Sequence, residues 1–233
     1  MFSKKKHFIL FITKIMLYQK NSVEVKSVRM LTESTYVLEL VRNQFAFKAG
    51  QFVCLGVNEQ NQLREYSIYS GENDTSLTVL IKEIEDGIVS SLLKDCKAGQ
   101  QIRFAGPLGE FVLNESALAT TKYMFIATGT GIAPFHSFIC THLNIDYQVL
   151  LGVKYAHEAY DKDEYATDRF TLCTSQDAAG DYYGRVTDYL RQHPPVEQYE
   201  YYLCGNGKMI YEAIDILRSQ QVPDERIHFE LYF

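Results

Sequence analysis

What these 233 residues lack most plainly is clustered cysteine. Cys54, Cys96, Cys140, Cys173 and Cys204 are scattered without a C-x-x-C pair, so no spacing suits zinc, an iron–sulfur cluster or c-type haem. An odd, unclustered set reads as the reduced thiols of a cytoplasmic protein. The histidines lack ligand spacing too. His136 and His142 stand six apart, which does not place them on one helix face. No metal centre is expected.

Positive charge is also short. Lys and Arg number 23 against 29 Asp and Glu, a net charge of −6 that argues against a general nucleic-acid or membrane-surface binder. Long apolar runs are missing as well. The stretch from His7 to Thr13 follows Lys4-Lys5-Lys6, is broken by Lys14 and is too short to span a bilayer. No small-residue cleavage site follows it, as a signal peptide would require. Residues 1–16 are therefore expected to be an appendage or a mis-assigned start, with translation beginning at Met16. Internal repeats and low-complexity linkers are absent. With 46% hydrophobic and 22% charged residues the composition is that of an ordinary globular chain.

What is present falls into two styles of pattern. From Val23 onward short alternating segments separated by turn signals (Val23–Met30, Thr35–Leu40, Phe45–Val53, Arg64–Ser70, Ser76–Glu83 and Ile102–Ala105) predict a small antiparallel barrel. One helix interrupts it at Gly87–Lys94, where Ser90 or Ser91 could cap a phosphate-binding N-terminus. After about Ser116 the style changes. Tyr123–Thr128 is nearly all apolar, as in a strand buried on both faces. Further strands at Tyr147–Val153, Phe170–Cys173, Tyr199–Cys204 and Ile227–Tyr232 alternate with helices, which predicts a parallel sheet of βαβ units.

Three stretches carry chemistry. Arg64-Glu65-Tyr66-Ser67-Ile68-Tyr69-Ser70 puts a cationic fork, a flat ring and two short hydroxyls on one strand. Gly129-Thr130-Gly131-Ile132-Ala133-Pro134 stands between a buried strand and a helix, where backbone can approach a phosphate. It lacks the full G-x-G-x-x-G fingerprint. Gly205-Asn206-Gly207 ends another strand of the same sheet, and parallel sheets bind ligands at the carboxyl ends of their strands. Cys204 precedes it, readable either as a small buried hydrophobe or as a thiol lining a reaction site.

Taken in order, Arg64-x-Tyr66-Ser67-x-x-Ser70, Gly87-x-Val89-Ser90, Gly129–Pro134, Cys204-Gly205-Asn206-Gly207 and the terminal Glu230-Leu231-Tyr232-Phe233 resemble the ferredoxin–NADP reductase superfamily. The resemblance implies a Greek-key FAD-binding β-barrel over 17–116 and a Rossmann-like NAD(P)-binding domain over 117–233. It assigns Arg64 to the FAD pyrophosphate, Tyr66 to the isoalloxazine and Ser67 to flavin N5, with Ser70 alongside. Gly87 and the amides at Val89 and Ser90 complete the phosphate seat. Gly129, Thr130, Gly131 and Pro134 would receive NADPH, with Gly205, Asn206 and Met209 across from them. Cys204 would lie near nicotinamide C4, and Glu230 would support the proton and hydride site. Tyr232 would cover the flavin, although Phe233 follows it and either ring could take that place. Lys154, Ser175, Tyr182 and Arg185 are candidates for a 2′-phosphate, although Lys154 and Gln176 stand where NADPH-preferring members often carry arginine, and NADH remains an alternative. The implied activity is electron transfer between NADPH and a separate ferredoxin or flavodoxin, by a cytoplasmic monomer. A flavin reductase or oxygenase reductase component, and a non-turnover flavin-binding relay subunit, are the alternatives.

Overall fold

The computed structural model describes residues 21–57, 62–194 and 198–232. The expectations for residues 1–16 and for Phe233 lie outside them.

Six strands form the first sheet: β1 (Asn21–Met30), β2 (Thr35–Val41), β3 (Phe52–Gly56), β4 (Arg64–Ser67), β5 (Ser76–Lys82) and β6 (Gln101–Leu108). Their order is β4-β3-β6-β1-β2-β5, with antiparallel neighbours throughout. An Ile68↔Val79 bridge, with the Tyr69 amide donating to the Thr78 carbonyl at 2.8 Å, joins the two outer strands and closes a barrel. Alternation along the strands turns Val25, Tyr36, Leu38, Leu40, Val53, Leu55 and Ile81 inward. Helix α1 (Ile88–Lys94) plugs one end with Val89 and Leu93. Phe45–Gln51 is irregular rather than strand, and β6 runs on through Gly106-Pro107 to Leu108, beyond the expected Ile102–Ala105.

The second sheet holds β7 (Lys122–Thr128), β8 (Asp146–Val153), β9 (Phe170–Thr174), β10 (Tyr182–Tyr183), β11 (Glu200–Asn206) and β12 (Ile227–Tyr232). All pairs are parallel, in the order β10-β9-β8-β7-β11-β12. Helices α2 (Ala133–Thr141), α3 (Val186–Gln192) and α4 (Gly207–Ser219) cover it. Along β7, Phe125 and Ala127 join one apolar cluster and Ile126 the other, which is why this strand reads as an unbroken apolar run. The two-residue β10 went unpredicted because it is too short to carry a period. β11 continues through Gly205-Asn206, which were expected to form a turn.

One cluster spans both sheets. Val37, Tyr69 and Leu80 of the barrel pack with Phe125, Phe135 and Phe138 of the parallel half. This apolar seam holds the last residues of the β4 segment against α2, so the two halves meet where their chemistry-bearing residues lie. Among the described residues no helix is long and apolar enough to cross a membrane.

Candidate functional site

The carboxyl ends of β7, β8, β9 and β11 open onto a cavity of about 690 Å³. Gly129, Thr130, Lys154, Ser175, Arg185, Gly205, Asn206, Met209 and Tyr232 all line it. Its charged lining is Lys82, Lys154, Arg185 and Lys208 against Glu158 and Glu212. Both acids are engaged, Glu158 beside Lys82 and Glu212 with Arg191. Lys154, Arg185 and Lys208 form no salt bridge among the described residues. The surplus is cationic inside a chain of net negative charge, which suits a polyanionic ligand.

The two glycines of the first turn do different work. Gly129 has φ +53° and a Cβ there would meet nothing within 4 Å, so its backbone faces open space. Gly131 faces inward: a Cβ would come 2.4 Å from the Cys204 carbonyl oxygen. Its smallness lets the turn pack on β11, and it does not line the cavity. Pro134 is likewise buried in the first turn of α2, where the missing amide costs little. Both positions, expected at the dinucleotide, serve packing in this structure. Asn206 caps α4, its side-chain oxygen accepting from the Lys208 and Met209 amides at 3.0 and 3.4 Å. Its own amide donates to Thr128 Oγ1 at 3.0 Å and ties the two turns together.

At the seam a second constellation forms. Parallel pairing puts Cys204 opposite Glu230 and Asn206 opposite Tyr232, so two distant motifs share one sheet edge. The barrel supplies Ser67. Its Oγ accepts from the Tyr232 hydroxyl at 2.7 Å and donates to Glu230 Oε2 at 3.2 Å. Burial pushes the Glu230 carboxyl up to about 7, opposed by the Ser67 hydrogen bond and assisted by the nearby Glu65 charge. Burial also holds Cys204 and Tyr232 well above their usual values, so thiol and phenol are neutral. Cys204 is 0% exposed and does not line the cavity, against the expectation of a thiol facing the ligand. Tyr232 does line it, touching both the nucleotide side and Ser67.

On the barrel side, Arg64 is exposed, and among the described residues its guanidinium donates to neutral oxygens, Leu63 O at 3.1 Å and Gln62 Oε1 at 3.3 Å. Helix α1 has Gly87 as its N-cap and no side-chain cap, which leaves its first amides uncommitted. Among the described residues the Arg64 guanidinium meets no acid, and it and the α1 amides are donors of the kind the FAD pyrophosphate takes. Tyr66, two residues from Arg64, is partly buried against the barrel core. The serine caps expected for α1 do not form. Ser90 Oγ donates to the Gly87 carbonyl and accepts from the Ile84 amide, closing the loop before the helix instead. Val89 is 3% exposed and its side chain belongs to the core. The Ser70 Oγ accepts from the Thr78 amide at 3.0 Å and its carbonyl accepts from Ser137 Oγ at 2.7 Å. Tyr182 packs edge-on against Tyr189 and does not line the cavity.

Sequence reasoning missed Thr128, Glu65, Lys82 and Lys208. Lys208 directly follows a glycine turn that was singled out, and that position was its signal. Lys82 comes from the barrel, and nothing local pointed to it.

Residues 22–113 match the oxidoreductase FAD-binding domain and residues 125–214 the oxidoreductase NAD-binding domain. Among curated proteins the chain is 29% identical over 225 residues to the toluate 1,2-dioxygenase electron transfer component of Pseudomonas putida, covering 89% of this chain and 66% of that protein. It is 28% identical over 224 residues to the apicoplast ferredoxin–NADP reductase of Plasmodium falciparum, covering 76% of this chain and 60% of the relative. The chain thus spans about three fifths to two thirds of the length of these relatives. A crystal structure of a ferredoxin–NADP+ reductase from Neisseria gonorrhoeae with bound FAD and NADP shares the fold, with TM-score 0.82, 23% identity, and coverage of 91% of this chain and 98% of that one.

Proposed function

The chain belongs to the ferredoxin–NADP reductase superfamily, and from that premise we propose that it is an FAD-dependent reductase passing electrons from NADPH to a separate ferredoxin or flavodoxin. FAD, when bound, supplies the redox centre that takes electrons as a pair and releases them singly. The chain's own work is binding, orientation and proton handling. Arg64 and the α1 amides hold the pyrophosphate, and Tyr66 supports the flavin ring. Gly129, Thr130, Gly205 and the cationic lining hold the nicotinamide dinucleotide. Orientation of two reactants against each other is the larger part of such catalysis. Ser67 orients at the seam, and Glu230 keeps a proton on its carboxyl near neutrality.

The observation that carries this reading is the Tyr232–Ser67–Glu230 chain of hydrogen bonds. Its middle residue comes from the flavin motif, and its first lines the nucleotide cavity. Tyr232 occupies the boundary that a nicotinamide must cross, so it acts as a gate. Opening the gate breaks one hydrogen bond, worth about 0.5–1.5 kcal/mol. Tyr232→Ser is therefore expected to tighten NADPH binding several-fold, measured as the dissociation constant of the oxidised protein. Unchanged binding removes the gate.

No cysteine cluster lies within these residues, and in this reading the electron acceptor is a separate protein. The Pseudomonas relative supports a second reading in which the acceptor belongs to an oxygenase. The deciding experiment is anaerobic. The purified protein should be yellow, bleach on adding NADPH, and recover colour on adding oxidised ferredoxin or flavodoxin. Recovery with free flavin or dyes alone would move the reading to a flavin reductase, and a colourless protein that does not take up FAD would end it.

A further inference from the structure

Away from the nicotinamide cavity, α2 carries His136 and Cys140 one turn apart, facing the segment that holds Glu164. The His136 ring is 6% exposed and stacks on Tyr69, with ring centroids 3.8 Å apart and planes 18° from parallel. His136 Nδ1 lies 2.7 Å from the Tyr69 carbonyl oxygen. A carbonyl only accepts, so Nδ1 carries a hydrogen and the neutral ring presents its lone pair at Nε2. Opposite Nε2, at 2.9 Å, stands Glu164 Oε2, another acceptor. Two acceptors at that distance need a cation between them, a proton or a metal ion.

The surroundings suit a metal. Cys140 Sγ lies 3.7 Å from both ring nitrogens, and one ligand atom from each of His136, Cys140 and Glu164 falls within 4.8 Å of the others. Tetrahedral zinc, with bonds of about 2.0–2.2 Å to nitrogen and oxygen and about 2.3 Å to sulfur, sets its ligand atoms about 3.3–3.6 Å apart. Glu164 has a side chain 54% exposed, free to open its 2.9 Å separation from His136 by a few tenths and to close on Cys140. The imidazole is already oriented as metal-bound histidines are, through a hydrogen bond from its other nitrogen to a carbonyl. Tyr165, 5% exposed, meets the His136 ring in a T-shaped contact, and among the described residues its buried hydroxyl has no hydrogen-bond partner. Asp161 is already paired with Arg29, so Glu164 is the carboxylate left to face the ring. A cavity of about 260 Å³ lined by His136 and Glu164 gives a route from solvent.

We propose that His136 Nε2, Cys140 Sγ and the Glu164 carboxylate form a binding site for a borderline-soft divalent cation such as Zn²⁺. It has one open position and lies at the seam behind the flavin motif. Imidazole, thiolate and carboxylate together select zinc over magnesium or calcium. Through Tyr69, two residues beyond Ser67, the ion would stiffen the strand on which the reductase chemistry depends.

The test needs no turnover. FAD-loaded protein, freed of metal by chelation, is titrated with Cd²⁺ while the ultraviolet thiolate-to-cadmium absorption is followed, and Zn²⁺ is then added to compete. The expected result is one Cd²⁺ per chain, displaced by Zn²⁺ and lost in Cys140→Ser, a near-isosteric change. The other four cysteines are buried and should contribute no band. Loss of an outer partner of a metal ligand costs about 10–100-fold in affinity, so His136→Gln and Glu164→Gln should each weaken binding at least tenfold. Glu164→Gln alters a half-exposed side chain and keeps the test valid should His136→Gln fold poorly. Absence of the band in the wild-type protein, its survival in Cys140→Ser, or unchanged affinity in Glu164→Gln would each overturn the site and leave the pair held by a proton.

Discussion

The seam between the two halves is built in opposite ways at its two ends. At one end, Arg29 of the barrel makes a two-pronged contact with Asp161, at 2.9 and 2.8 Å, and the Tyr69 hydroxyl donates to the same carboxylate at 3.0 Å. Arg29 holds the Asp161 carboxyl below its ordinary value. At the other end, Glu230 meets no cation among the described residues, only a hydroxyl, a thiol, a phenol and the like charge of Glu65, and burial raises it to about 7. The first arrangement satisfies its charges and fastens. The second leaves a carboxyl short of partners, as expected where a proton must be held and released. Fastening one end positions the other.

The largest test of this contrast is Glu230→Gln. General acid–base groups typically contribute 10²–10⁴-fold, so turnover with NADPH should fall by about 10²-fold while nucleotide affinity changes little. An equal fall in affinity would make Glu230 a binding group instead. The same variant carries a pH signature. The Glu230 carboxyl titrates at about 7 in the folded chain, against 4.5 for an unperturbed group. Its contribution to stability is therefore fully present below about 4.5 and lost as pH rises through about 7, by at most about 3 kcal/mol. Denaturant midpoints at pH 5 and pH 8 should differ less in Glu230→Gln than in the parent. Identical slopes would show that this carboxyl is not the buried acid.

The fastened end has the reverse sign. Asp161 is held low, so its contribution is present at neutral pH and lost on acidification. Asp161→Asn keeps the shape and tolerates the left-handed backbone at this position, φ +48°, while removing the charge. Arg29 is half exposed, which weakens the pair through solvent screening. The loss should be about 1–2 kcal/mol by urea unfolding at pH 7, with the flavin-binding and nucleotide-binding halves still folded. A loss below about 0.3 kcal/mol would mean the apolar seam, not the ion pair, holds this end.

Much of this design could be read from the chain because it rests on local periodicity. The barrel strands alternate, β7 is apolar on both faces, and glycines mark where strands deliver backbone to a cavity. Both halves of the fold were legible for that reason. The site was legible as separate motifs, and the way they assemble was not. That Cys204 faces Glu230 depends on the register of β11 against β12, and no local pattern encodes register between distant strands. Asn206 looks like a ligand contact and turns out to cap a helix as well; Gly131 looks like a phosphate turn and serves packing. Ser70 sits two hydroxyl positions from Ser67 in the motif, yet its hydrogen bonds commit it to the barrel closure. Lys82 reaches the nucleotide cavity from the other domain, and the fastened end of the seam joins residues more than a hundred apart in sequence. His136 and Cys140 stand at helical spacing, a signal passed over when histidines were compared only with one another.

The smallest expected effect concerns which nucleotide the cavity prefers. Among the described residues, Arg185 and Lys154 line it without salt-bridge partners, beside Ser175, whose hydroxyl makes a long 3.4 Å bond to the Val153 carbonyl. If these groups receive a 2′-phosphate, Arg185→Ala should raise KM for NADPH by about 5-fold and leave NADH nearly unchanged. That size corresponds to about 1 kcal/mol, the low end for a charge-assisted hydrogen bond, as expected where water screens the contact. The NADPH effect should also shrink at high salt, since the Debye length falls from about 10 Å at 0.1 M to about 3 Å at 1 M. Equal changes for both nucleotides would place Arg185 on the pyrophosphate they share. No change for either would leave Lys154 and Lys208 as the cations that matter, and Lys154→Ala measured the same way separates those two.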